Sequence, residues 1–172
     1  MSNRATGEIR PAIEVPELTE DFQGDNALNR LAQFVCDKHN DLLGHVGDYQ
    51  IEYLWKKKGG KRLGANRMGA CGKPSGLLKH YAATDFVIWL AADHLREENY
   101  TQDQIEALMF HELSHIAVPE EDESGDLTPP KLAPHDFEGF VADVERYGFW
   151  EPSLKRMGRA VQLRLTFDEE GT

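Results

Sequence analysis

The chain has 172 residues, with 19 Lys and Arg against 30 Asp and Glu and a formal net charge of −11 at pH 7. That is about one ordinary domain, and its field repels phosphate, which argues against a chain made mainly to coat nucleic acid or an anionic membrane. A hydrophobic share of 40% with three Trp, eight Phe and five Tyr is too rich for a disordered polyanion.

In chain order, residues 1–24 are polar, carry Pro11 and Pro16, and read as an extended or mobile arm. Leu28, Leu31, Ala32 and Val35 fall at helical spacing, so a helix is expected over 26–43 with Gly44 as its stop. Tyr49, Ile51, Tyr53 and Trp55 alternate like a strand. Lys56 to Lys58 and Gly59-Gly60 follow as a turn, and a second strand over 61–68 would complete a hairpin with a basic tip. Gly69, Gly72, Pro74 and Gly76 mark a loop, and Phe86, Val87, Ile88, Trp89 and Leu90 form a short apolar run that suits a buried strand. Thr101 and Gln104 make a T-x-x-Q capping box, which starts a helix running to 117 before Pro119 bars continuation. Residues 119–134 hold five carboxylates and four prolines and read as a loop. Helical spacing returns at Phe137, Phe140, Val141, Val144 and Tyr147, with Gly148 as the stop, and the tail from 153 is ambiguous between strand and helix. The organisation expected is a single α+β domain over 25–167 with a short tail at 168–172. Its small, mostly antiparallel sheet would pack against the helix at 101–117 and two others.

His111-Glu112-Leu113-Ser114-His115 is an H-E-x-x-H string inside the capped helix. Residues four apart lie one turn from each other on one face, so two imidazoles can share a metal ion. Glu112, beside the first of them, can reach a water on that metal without being a ligand, and take its proton. The same string also occurs in surface helices with two ordinary polar histidines. The capped start and the apolar strand before it favour the metal here. A catalytic zinc site needs a third protein ligand and keeps its fourth position open. His135, which opens the next helix after a loop long enough to return the chain, is the preferred third ligand. Asp136, Glu138 and Glu145 are oxygen-donor alternatives.

HELSHI, followed after a polar loop by HDFEGFVADVERYGFW, resembles the SprT-like zincin peptidases. The stretch DFVIWLAADHLREENYTQDQIEALMFHELSHI resembles the phage metallopeptidase family. The resemblance covers about residues 28–150. It implies a minimal zincin core, Zn2+ held by His111, His115 and His135, Glu112 as general base, and a phage or prophage origin. It also implies that the strand Phe86, Val87, Ile88, Trp89 and Leu90 lies beside the cleft, where an edge strand would pair with an extended protein or peptide substrate. Tyr147 and Arg146 are conceivable oxyanion donors. The alternative is a zinc-stabilised binding module without catalysis, which would close its coordination with a fourth protein ligand.

Lys56, Lys57, Lys58, Lys61, Arg62 and Arg67 make a basic patch on an acidic chain. Edge lysines commonly guard against strand-to-strand aggregation, and that reading outweighs a weak nucleic-acid contact because the net charge opposes phosphate. Relatives in the SprT-like group that act on proteins attached to DNA keep the contact open. His39, His45, His80 and His94 have no partner at ligand spacing. The acidic loop lacks the Gly-centred pattern of a calcium hand. Cys36 and Cys71 are too few for a disulfide framework, no apolar run approaches the ~20 residues that span a bilayer, and the N-terminal stretch lacks a secretory pattern. A cytoplasmic protein with reduced thiols and no membrane partner is expected.

Overall fold

In the computed structural model, residues 9–62, 64–81, 83–135 and 141–152 are described, with positions 154–156, 158, 159 and 162 beyond them. The chain divides into two compact units, one ending at Pro134 and one beginning at His135. The architecture is α+β, with a small mixed sheet and several helices.

In the first unit the N-terminal arm runs extended, as its prolines dictate, yet it places Ile13 and Leu18 in the core. The short strand β1 (Phe22–Gly24) ends it. Asp25 then caps helix α1 (Asn26–Lys38), whose Leu28, Leu31, Ala32 and Val35 form the expected buried stripe. The single helix expected to 43 is broken at His39, which leaves helical backbone. A four-residue helix, α2 (Asn40–Leu43), and a 3-10 turn (Gly44–Asp48) follow. Strand β2 (Ile51–Lys56) comes next.

The segment 61–68 does not pair with β2. Its strands β3 (Lys61–Arg62) and β4 (Ala65–Asn66) close on each other as a separate two-stranded ribbon. Gly69–Gly72, expected as loop, is strand β5, and helix α3 (Gly76–Tyr81) follows. Strand β6 (Phe86–Ala91) occupies the apolar run, and helix α4 (Ala92–Glu97) leads to helix α5 (Gln102–Leu113).

The sheet order is β1-β2-β6-β5. β1 is antiparallel to β2, β2 is parallel to β6, and β5 is antiparallel to β6. The parallel pair in the middle needs a long crossover, which the stretch from Lys57 to Asp85 supplies. Tyr53, Ile88 and Cys71 align across three strands, and Trp55, Leu90 and Gly69 form the next row. Trp55, Phe86, Ile88 and Leu90 on this face are fully buried, so it is the core side of the sheet. Helix α5 is buried almost all round, from Ile105 to Phe110 and again at Glu112 and Leu113, rather than along the one stripe its spacing suggests.

In the second unit, helix α6 (Val141–Tyr147) is described, with Asp143 buried and Gly148 ending it at φ +66°. The helical start expected at 136–140 lies outside the described residues, as does most of the strand-like VQLRLTF. The described positions among 152–159 are helical. Among the described residues no helix is long and apolar enough to cross a membrane.

Candidate metal centre

Helix α5 begins where the capping box predicts. Thr101 Oγ1 accepts from Gln104 N at 3.3 Å, and the Gln104 side-chain oxygen accepts from Thr101 N at 3.0 Å. The helix delivers His111 and Glu112 on its last regular turn. It then tightens, with His115 N donating to Glu112 O at 3.2 Å and Ile116 N to Leu113 O at 3.0 Å. This turn carries His115 over His111. The two rings stand edge to face with centroids 5.2 Å apart, and a nitrogen of one lies within 4.8 Å of a nitrogen of the other. Both imidazoles are half-buried, whereas Glu112 is only 3% exposed. A buried carboxylate at this place makes Glu112 a candidate functional residue.

The polar loop after Pro119 returns along the end of α5. Ile116 bridges Leu132, Ala117 N donates to Lys131 O at 3.0 Å, and Ala133 N donates to His115 O at 2.7 Å. His115 Nδ1 lies 2.9 Å from Ala133 O. A carbonyl can only accept, so Nδ1 donates the proton of this bond. Such a carbonyl partner, which fixes tautomer and ring orientation, is the usual companion of a metal-ligating histidine. On the other side His45, in the 3-10 turn, places Nε2 2.9 Å from Ile116 O and braces the same corner. Spacing gave no hint of either contact, because both partners are backbone carbonyls brought in by the tertiary fold. A soft-to-borderline nitrogen donor pair with one locked tautomer fits zinc.

His135 is exposed and follows Pro134 by one peptide bond, immediately after the segment bonded to His115. Asp136 and Glu138 lie outside the described residues. Glu145 is exposed on α6, where Arg146 and Tyr147 are half-buried.

The strand Phe86 to Leu90 does not serve as an edge. β6 is paired with β2 on one side and with β5 on the other, so its main-chain donors and acceptors are already used. The strand that ends the sheet on the α5 side is β5. Burial pushes the thiol of its Cys71 up to about 12, and the negative charge of Glu112 adds to that shift.

The basic patch is partly turned inward onto an aromatic. Lys56 Nζ sits 4.3 Å from the centre of the Trp89 ring and the Arg67 guanidinium 5.0 Å from it. Cations stacked on a tryptophan stabilise the outer sheet face; Lys56 lies on β2, which is paired on both sides, so it guards no sheet edge, and the stacking lends nothing to a nucleic-acid contact.

A family model described as "Putative phage metallopeptidase" matches residues 20–162. No curated protein and no solved structure matches the chain. The matched stretch runs from the arm before β1 past α6 and contains the capped helix, the buried glutamate and the oriented imidazole. On that extent the chain belongs to the phage metallopeptidase family.

Proposed function

We propose that this protein is a zinc-dependent peptidase that hydrolyses internal peptide bonds, with His111, His115 and His135 as the metal ligands and Glu112 as the general base. The observation that carries the reading is the orientation of His115, whose Nδ1 lies 2.9 Å from Ala133 O, the kind of carbonyl partner that usually accompanies a metal-ligating histidine. Support for the third ligand comes from the chain itself, since His135 follows directly on the segment whose Ala133 carbonyl meets His115. When bound, zinc supplies Lewis acidity and brings the pKa of a water to about 7.

The chain's own residues then divide the work. The imidazoles of His111 and His115 hold their ring planes at 89° to each other with centroids 5.2 Å apart. Glu112 takes a proton from the attacking water on a carboxylate oxygen and passes it to the nitrogen of the departing amine. Its burial, at 3% exposure, keeps bulk water from competing for that proton. The substrate class is protein or peptide, as the family implies.

The test combines metal content by elemental analysis with cleavage of unfolded casein by the full chain and by Glu112→Gln. Stoichiometric zinc in both proteins is expected. Turnover should fall by about 10²–10⁴-fold in the variant, the range for loss of a general acid–base group. A natively folded parent that takes up no zinc, or a variant as active as the parent, would overturn the proposal. Zinc uptake with no cleavage by the parent would instead identify a zinc-stabilised binding module.

A further inference from the structure

We infer that Gly69 is a positioning residue for the catalytic carboxylate: it is the side-chain-free floor against which Glu112 is set. The inference rests on the reading of Glu112 as general base and adds a residue outside the H-E-x-x-H string. Gly69 opens β5, opposite Leu90 of β6, on the core face of the sheet. A Cβ built on Gly69 would stand 2.7 Å from Glu112 Oε1 and 3.2 Å from its carboxyl carbon, and 3.1 Å from the carbonyl oxygen of Trp89. Real Cβ atoms do not approach an oxygen at the first of these distances, so any side chain at 69 must displace the carboxylate. The backbone of β6 needs to give only slightly.

The two contacts differ in what yields. The Trp89 oxygen belongs to a strand paired on both sides, and at 3.1 Å it needs to give only by a few tenths of an ångström. Glu112 Oε1 is the far end of a side chain with rotatable bonds, so it moves first. An alanine at 69 is therefore compatible with the fold and incompatible with the present position of the base. Gly69 has no left-handed backbone angle to explain it, since the positive-φ glycines are Gly60, Gly64, Gly76, Gly125 and Gly148. Room for the carboxylate is the remaining reason for glycine at that place. Gly72, at the other end of the same strand, has nothing within 4 Å of its would-be Cβ and serves as the control.

The experiment uses the full chain with isotope-labelled glutamate, as parent, Gly69→Ala and Gly72→Ala. The Glu112 carboxyl resonance is assigned by its disappearance in Glu112→Gln. It should shift in Gly69→Ala and stay in place in Gly72→Ala, in metal-free protein. Zinc affinity by chelator competition should be unchanged in both, because neither strand residue is a ligand. With casein, Gly69→Ala should lose about 10–100-fold in kcat with little change in KM, the scale of a misplacement of about 1 Å. A Gly69→Ala protein with an unmoved resonance and parental kcat would overturn the inference, as would an equal loss in Gly72→Ala, which would mark a general effect on the strand. A parent without casein turnover whose resonance still shifts in Gly69→Ala would sink the peptidase reading while upholding the placement of the carboxylate.

Discussion

Asp25 uses both oxygens of a short side chain, and only one of the two uses is visible in the sequence. Asp25 Oδ1 caps α1 by accepting from Ala27 N at 2.8 Å, as an aspartate before a helical stripe should. Its Oδ2 accepts from Trp55 Nε1 at 2.9 Å, which ties the start of the helix to a tryptophan with no exposed surface. Removing the carboxylate therefore removes a cap and orphans a buried indole N–H. Asp25→Ala should destabilise the native chain by about 2–4 kcal/mol, read from the urea midpoint at unchanged m-value. A loss below about 0.5 kcal/mol, the scale of an ordinary surface change, would show that the two bonds are replaced by water. On His115 the visible part is its place in the H-E-x-x-H string, and the part set by the fold is the bond of Nδ1 to Ala133 O.

At the scale of elements, α5 is fastened by a buried charge rather than by its apolar surface alone. Glu106, 2% exposed, receives Arg10 from the N-terminal arm at 2.9 Å and Lys38 from the end of α1 at 2.5 Å. Arg10 also reaches Asp103, and the Gln102 side chain pairs with both main-chain groups of Ile13 at 2.8 Å. Burial alone would raise the Glu106 carboxyl, but the hydrogen bonds from Lys38 and Arg10 outweigh it and hold the group below the ordinary carboxylate range. A group depressed in the folded state contributes stability above its unfolded pKa of about 4.3, and that contribution is lost as pH falls through the lower folded value. Parent should exceed Glu106→Gln by about 1–3 kcal/mol at pH 7, and the gap should close on the acid side of about pH 4. Denaturation of both proteins across that range checks it, and a gap indifferent to pH would remove the ion pairs as its source.

For the molecule as a whole, the metal and the fold are linked by mass action. A zinc ion that binds the native chain and not the unfolded one stabilises it by about 2.7 kcal/mol at a hundred times its Kd. For a chain of this size that corresponds to a rise in Tm of about 5–10 °C. Excess chelator should lower the melting temperature by this order and added zinc should restore it. A melting curve insensitive to both would contradict the metal centre. The arm, helix α1 and the loop returning to Ala133 all meet α5, so loosening its last turn should be felt through the first unit.

Sequence alone determined what depends on neighbours a few residues away. The capping box, the start of α5 and the adjacency of His111, Glu112 and His115 follow from helical geometry, in which positions three and four apart must meet. Tertiary structure decided what depends on distant pairing. Gly69-Ala70-Cys71-Gly72 is loop by composition and becomes a strand only because β6 offers it a partner. The same pairing removes β6 from the sheet edge. Ile13 and Leu18 enter the core from an arm with no period of its own, because Arg10 and Ile13 find partners on α5. The proton on His115 is placed by a carbonyl 18 residues away. Strand order and ring tautomer are set by hydrogen bonds between segments far apart in the chain, and local propensity carries no information about those.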